Sequence, residues 1–93
     1  MYITITRSNN YLGIESYIIG QELVLVKDKG NRYDDESILV KTTTGAKCGY
    51  VANSVNSVAR GTHSAGYIYN IIKDNQKCLV SFIVEDKVIA EII

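Results

Sequence analysis

Residues 20 to 51 read GQELVLVKDKGNRYDDESILVKTTTGAKCGYV, and this stretch decides the fold. The unbroken apolar run Leu23–Val26 predicts a strand that is buried on both faces. A second run of aliphatic residues predicts a strand over Ser37–Thr42. The turn that ends at Gly45 predicts a hairpin, and residues 46–52 (AKCGYVA) form its returning strand. The centre of the chain is therefore expected to be β-structure.

The two ends of the chain also predict strands. Residues 2–6 (YITIT) alternate in the manner of a half-buried strand. Residues 77–84 (KCLVSFIV) and 87–93 (KVIAEII) flank Glu85 and Asp86, which predicts a second hairpin with a two-residue turn. Many short strands with tight turns favour a barrel over an open sheet, because closure removes exposed strand edges.

One or two short helices are expected between the fourth and fifth strands. Val51, Val55 and Val58 share a helical face, with Asn53 or Ser54 as the N-cap residue and Gly61 as the end. A second helix is predicted by apolar residues at positions 65, 68, 69 and 72, with Ser64 as its cap. Residues 67–72 (YIYNII) also suit a strand.

Size and composition indicate one folded domain that spans residues 1–93. The chain is 46% apolar and 22% charged, which is ordinary for a globular protein. No apolar run approaches the roughly 20 residues that span a membrane, and the N-terminus lacks the pattern of a secretory signal. A cytoplasmic location is therefore expected. Cys48 and Cys78 are predicted to be reduced thiols, and with His63 they form no recognisable zinc spacing, so no metal or cofactor is expected.

The charges are unevenly distributed although the formal net charge is zero. No Asp or Glu occurs from Ser37 to Lys73, whereas Lys41, Lys47, Arg60 and Lys73 do. If this segment forms one face, that face is mildly basic. Such a face suits nucleic acid, but it is also common on ordinary solvated surfaces.

The segment NRYDDESILV, residues 31–40, has two interpretations. Asn and Asp bond to nearby backbone groups and form turns, so the segment is explained as a turn before a strand. Alternatively, Asn31, Tyr33 and Asp34 form a small binding site. In that case the ring stacks on a base, the carboxylate accepts a hydrogen bond, and the amide holds the loop.

The wider context of this segment resembles the HIRAN domain family. The resemblance is carried by Asn31-x-Tyr33-Asp34, by the aliphatic strand that follows, and by the Gly49-Tyr50 pair. It implies an OB-like antiparallel β-barrel that binds the 3′ end of single-stranded DNA, in a context of DNA repair or processing. It also implies a helicase or nuclease as a partner, because the domain is attached to such enzymes in larger proteins.

The resemblance also implies roles for individual residues. Tyr33 is the stacking platform, Asp34 accepts from the 3′-hydroxyl, and Asn31 braces the loop, with Tyr11 along the pocket. Four positions depart from the family pattern. Arg7 stands in place of a Gly, the pair Asn9-Asn10 stands where DNA-binding members have Arg-Tyr, and Asn53 stands at a position that is often basic. The candidate nucleic-acid-binding residues are Arg7, Asn9, Asn10, Tyr11, Asn31, Tyr33, Asp34, Tyr50, Asn53 and Arg60.

Two other function classes compete with DNA binding. A protein-interaction or regulatory module on the same fold would use Tyr33 and Asp34 for structure and an apolar surface for its partner. Catalysis is not expected, because Thr62, His63 and Ser64 are adjacent in sequence without forming a nucleophile–base arrangement. An open pocket beside Tyr33 favours DNA binding, whereas a Tyr33 packed into the core favours the interaction module.

Overall fold

Six antiparallel strands form a closed barrel in the computed structural model, which describes residues 1–93. The strands are β1 (Tyr2–Thr6), β2 (Glu22–Lys27), β3 (Ile38–Thr42), β4 (Lys47–Val51), β5 (Gln76–Val84) and β6 (Lys87–Ile92). Their order around the barrel is β1-β4-β3-β2-β5-β6, and β6 closes the ring by pairing with β1. The predicted mostly-β barrel is confirmed, and every strand has a neighbour on both edges.

Both predicted hairpins are present. The β3–β4 turn contains Gly45 at a φ of 98°, a left-handed conformation that favours glycine. In the second hairpin Val84 pairs with Lys87, so Glu85 and Asp86 form a two-residue turn. Glu85 adopts a φ of 58°, the positive value that such tight turns demand.

The β2 strand is not buried on both faces, which corrects the prediction from its apolar run. Leu23 and Leu25 are fully buried, whereas Val24 and Val26 are only half-buried. A barrel strand turns alternate side chains to the interior, and only the interior is sealed from water.

The N-terminal strand shows the opposite departure, since its polar Thr4 is fully buried together with Ile3 and Ile5. The loop from Ala59 to Thr62 covers the outer face of β1 at this point. The Thr4 hydroxyl lies 2.7 Å from the Thr62 hydroxyl and accepts from the backbone N–H of Ala59 over 3.1 Å. Its burial is therefore compensated by hydrogen bonds.

One of the two predicted helices forms. Helix α1 spans Ala65–Ile68, and the Ser64 hydroxyl caps it by accepting from the backbone N–H of Tyr67. Ala65 and Ile68 belong to the hydrophobic core, so the 3–4 spacing identified the correct face. Two short 3₁₀ helices, Ser8–Asn10 and Ile14–Ser16, were not predicted.

The predicted helix through Val51, Val55 and Val58 does not form. Val51 belongs to β4, where it pairs with Ile5, and Val55 is 95% exposed. A single turn remains, because the backbone N–H groups of Ser57 and Val58 both donate to the carbonyl of Ser54. The Ser57 hydroxyl also donates to that carbonyl, and such local bonds compete with helix formation.

The cysteines are free, as predicted, and both are buried. Burial raises the pKa of the Cys78 thiol to about 12 and also raises the pKa of the Cys48 thiol. Both groups therefore remain protonated and unreactive at neutral pH. No helix in the structure is both long and apolar enough to span a membrane.

Candidate functional site

An open cleft of about 600 Å³ lies at one side of the barrel, and we call it the Tyr33 cleft. Three parts of the chain form it: the end of β1, the loop between β2 and β3, and β4 with the turn that follows. Its volume lies within the roughly 300–1,000 Å³ of small-ligand sites. The lining residues are Thr6, Arg7, Asn31, Tyr33, Asp34, Ser37, Tyr50, Val51, Asn53, Ser54 and Ser57.

The loop before β3 is held in shape by Asn31. The side-chain oxygen of Asn31 accepts from the backbone N–H of Tyr33 over 2.8 Å and from that of Asp34 over 3.1 Å. Its side-chain nitrogen donates to the Asp28 carboxylate and to the Ser37 hydroxyl. The amide is thus fully engaged within the protein, and it orients the two residues that follow it.

The Asp34 carboxylate faces the cleft and is already partly hydrogen-bonded. One of its oxygens accepts from the backbone N–H of Glu36 over 2.9 Å. The other accepts from the Asn53 side chain over 3.1 Å. A carboxylate offers about four acceptor positions, so this second oxygen retains capacity for a hydroxyl donor.

Asn53 joins the loop to helix α1. Its side-chain oxygen accepts from the backbone N–H of Gly66 over 2.8 Å, while its nitrogen donates to Asp34. A Cβ at Gly66 would meet the ends of the Glu36 and Asn53 side chains, so glycine leaves both side chains in their places. The carboxylate position is therefore determined by β4, α1 and the loop together.

Tyr33 has a fully exposed aromatic ring. Its exposed fraction is 96%, although the residue lines the cleft. A ring in this position makes no packing contribution to the core. One whole face is available for stacking.

Arg7 and Tyr50 form the opposite wall. The Arg7 guanidinium lies 5.5 Å from the centre of the Tyr50 ring, a cation–π geometry. The Tyr11 ring packs against Tyr50 from another side, with centroids 6.4 Å apart. The neighbouring Tyr11 side chain raises the pKa of the Tyr50 phenol, and burial raises it further, so Tyr50 is neutral at physiological pH.

Gly49 allows this wall to form. A Cβ at position 49 would lie 2.5 Å from the backbone oxygen of Thr6. Only glycine permits β1 to approach β4 so closely, and that approach places Arg7 above Tyr50. The adjacent Tyr17 strengthens the same junction, because its hydroxyl donates to the Cys48 carbonyl and bonds to Ser8.

Two solved structures are similar to this chain. The crystal structure of the HIRAN domain of human HLTF has a TM-score of 0.71 and 16% sequence identity, and the match covers 97% of this chain and 69% of that chain. A protein from Lactobacillus plantarum has a TM-score of 0.65 and 18% identity, with 97% of this chain and 86% of that chain covered. The fold is that of a HIRAN domain. No protein-family model and no curated protein matches the sequence.

The HIRAN fold brings together six of the ten candidate residues identified from the sequence. Tyr11 stands behind the cleft wall and contacts Tyr50 rather than lining the cleft. Asn9 and Asn10 are exposed in the first 3₁₀ helix and lie outside the cleft, because the chain turns sharply after Arg7. The six residues that line it are Arg7, Asn31, Tyr33, Asp34, Tyr50 and Asn53.

The cations of the acid-free segment do not form one face beside this cleft. Lys41 and Lys47 lie opposite each other in the register of β3 and β4. Lys73 lies next to Asp74, and Arg60 lines two other grooves. Among the residues that line the Tyr33 cleft, Arg7 is the one cation and Asp34 the one acid. The barrel disperses the basic residues because they are distributed over different elements.

Several contributors to the site were missed from the sequence. Thr6, Ser54 and Ser57 line the cleft but carry no sequence signal, since serine and threonine occur in most loops. Ser37 could have been found from the motif, where it is the small residue before β3. Tyr17 is 5% exposed. Its role is visible only in the structure, where its hydroxyl donates to the Cys48 carbonyl of β4.

The Thr62-His63-Ser64 triplet forms no catalytic arrangement. The Thr62 hydroxyl bonds to Ala59 and Thr4, and the Ser64 hydroxyl caps α1. The His63 ring stacks on Tyr67 instead of contacting either hydroxyl. No group of three or more His, Cys, Asp or Glu side chains is placed to hold a metal ion.

Proposed function

We propose that this protein binds the 3′ end of single-stranded DNA in the Tyr33 cleft, as a recognition step in DNA repair or processing. The observation that carries the proposal is the Tyr33 ring, which is 96% exposed at the wall of a cleft. A base that stacks on such a ring gains about 1–3 kcal/mol of binding free energy. Exposure of a whole tyrosine ring has no benefit for folding, so a binding role accounts for it better.

The Asp34 carboxylate supplies the selectivity for a free end. Its oxygen that accepts from Asn53 retains acceptor capacity toward the cleft. A 3′-hydroxyl donates to this oxygen, and a hydrogen bond to a carboxylate is stronger than one between neutral groups. A terminal phosphate would bring like charge to the same place and would be repelled.

Arg7 supplies positive charge for the phosphate backbone. It adopts a left-handed φ of 62°, which costs a non-glycine residue roughly 1 kcal/mol or more. Arg7 has no ion-pair partner, since the single salt bridge of the protein joins Lys77 and Glu22. A strained, unpaired cation at the rim of a cleft supports a role in binding an anion.

The experiment compares two labelled oligonucleotides of identical sequence, one with a 3′-hydroxyl and one with a 3′-phosphate. We expect the hydroxyl strand to bind more tightly. Asp34→Asn should narrow this preference, because it removes the charge but retains one oxygen in the place that accepts from the backbone N–H of Glu36 over 2.9 Å and from the Asn53 side chain over 3.4 Å. Tyr33→Ala should weaken both complexes by about 1–3 kcal/mol.

The melting temperature of each variant provides the control for an effect on folding. Because the Tyr33 ring is exposed, Tyr33→Ala should leave the melting temperature nearly unchanged. The proposal fails if neither strand binds the wild-type protein. It also fails if the wild type binds the two strands with equal affinity and Tyr33→Ala binds them as tightly as the wild type does.

Protein interaction is the second candidate function, and one observation favours it. A groove of about 510 Å³, the Phe82 groove, lies between β5–β6 and the loop from Ala59 to Thr62. Phe82 and Val84 are each more than half exposed there. This exposed apolar surface suits contact with a helicase or nuclease partner. The oligonucleotide measurement separates the two classes, because an interaction module that does not bind DNA leaves both labelled strands free.

A further inference from the structure

A pair of stacked aromatic rings lies outside the Tyr33 cleft. The His63 and Tyr67 rings are 4.4 Å apart at an angle of 15°. Tyr67 remains 56% exposed, so one of its faces is covered by His63 and much of the rest is open. The pair lines a second groove of about 490 Å³, which we call the Tyr67 groove.

The Tyr67 groove adjoins the Tyr33 cleft. Asn53 and Ser54 line both, so a chain that leaves the cleft over these two residues enters the groove directly. No acidic side chain lines the groove, and Arg60 is the one arginine or lysine in its lining. The combination of an open ring, one arginine and no carboxylate suits a nucleotide with its phosphate.

Backbone hydrogen bonds hold both residues in place. His63 is held through its backbone, whose N–H donates to the Tyr2 carbonyl over 2.8 Å beside a bridge to Ile3. Tyr67 is held through its backbone N–H, which donates to the Ser64 hydroxyl. The two rings take no part in these backbone hydrogen bonds.

We infer that Tyr67, backed by His63, is a second base-stacking position for the strand whose 3′ end occupies the Tyr33 cleft, with Arg60 contacting a phosphate beside it. This inference rests on the proposed function, because it concerns nucleotides on the 5′ side of the bound end. A strand that reaches only the cleft gains nothing from Tyr67. A longer strand stacks one more base and contacts one more cation.

The test measures the affinities of a two-nucleotide and a six-nucleotide single-stranded DNA, each with a free 3′-hydroxyl. Tyr67→Ala should weaken binding of the longer strand roughly 5- to 150-fold, which corresponds to the loss of one stacked base. It should leave the shorter strand unaffected. Tyr67→Phe keeps the ring and should retain the wild-type affinity for both strands.

Two further variants sharpen the test. Arg60→Ala should reduce the salt dependence of the longer strand by about 0.7 in the slope of log K against log salt, without changing that of the shorter strand. Phe82→Ala serves as the matched control, because its ring is similarly exposed but lines the Phe82 groove. This control should bind both strands like the wild type.

The outcomes distinguish this inference from the proposed function. If Tyr33→Ala weakens both strands while Tyr67→Ala weakens neither, the cleft binds DNA and the second stacking position is wrong. An equal loss for both strands in Tyr67→Ala also overturns it, since that result indicates a general change in the protein. If the wild type binds neither strand, the proposed function and this inference fail together.

Discussion

The Asn53 side chain donates a hydrogen bond to the Asp34 carboxylate over 3.1 Å, and this contact joins the loop before β3 to the segment after β4. Asn53 also accepts from the backbone N–H of Gly66. One amide thereby bridges the loop before β3 and helix α1. The loop before β3 is therefore not an independent turn, because the segment after β4 positions its Asp34 carboxylate.

Replacement of Asn53 tests this bridge. Asn53→Ala removes the bonds to Asp34 and Gly66, and we expect a loss of about 1–2 kcal/mol in the free energy of unfolding. Denaturant titration measures the change. Asn56→Ala is the matched control, because Asn56 is exposed in the same turn and its side chain makes no hydrogen bond. Equal effects of the two substitutions would contradict a bridging role.

Replacement of Arg7 separates binding from folding. Arg7→Gly relieves the left-handed backbone strain, so the free energy of unfolding should stay the same or rise by up to about 1 kcal/mol. Binding of single-stranded DNA should nevertheless weaken, and the slope of log K against log salt should become shallower by about 0.7. Asn75→Gly relieves a similar φ of 60° far from the lining of the cleft and should not change binding. A variant that binds as well as the wild type with the same salt slope would show that Arg7 does not contact phosphate.

Gly49 and Gly30 form a third matched pair. Gly49→Ala places a methyl group 2.5 Å from the Thr6 oxygen, so β1 and β4 must separate. We expect a destabilisation of about 1–3 kcal/mol and weaker DNA binding, because Arg7 and Tyr50 move apart. A Cβ at Gly30 meets nothing within 4 Å and Gly30 has no positive φ, so Gly30→Ala should be neutral or slightly stabilising. Thermal unfolding of both variants measures the difference.

Alkaline pH should destabilise the protein through its buried thiol and phenol. Burial raises the pKa of Cys78 from 9.0 to about 12 and that of Tyr17 from 10.0 to about 12. Between about pH 9 and pH 12 the unfolded chain releases these protons while the folded protein retains them. The stability contribution is thus complete below pH 9 and declines as the pH rises toward 12.

Denaturant titrations across this range check the pH prediction. The free energy of unfolding should fall with a smaller slope in Cys78→Ala than in the wild type, because one of the groups whose pKa is raised by burial is gone. An identical slope in both proteins would mean that the thiol does not contribute. Tyr17→Phe is less suitable, since it also removes the bonds to Ser8 and Cys48.

The sequence by itself determined the strands, the two hairpins and the local part of the site. Alternation, turn residues and apolar runs act over a few positions, and so does the Asn31 side chain that shapes the Tyr33–Asp34 loop. The same local reasoning identified α1 through Ser64 and the spacing of Ala65 and Ile68. It was wrong for Val51 to Val58, where β4 pairing and serine hydrogen bonds outweigh a weak helical pattern.

Only the tertiary structure decided which of the distant residues share the cleft. Arg7 reaches Tyr50 because Gly49 lets two strands approach, whereas Asn9, Asn10 and Arg60 lie elsewhere although they carry suitable chemistry. The closed barrel and the loops around it also decide that Thr4 is buried and that Val24 is only half-buried. These outcomes depend on how the closed barrel places each side chain relative to loops that are remote in sequence. Spacing along the chain describes near neighbours, so it does not show which remote loops approach each strand.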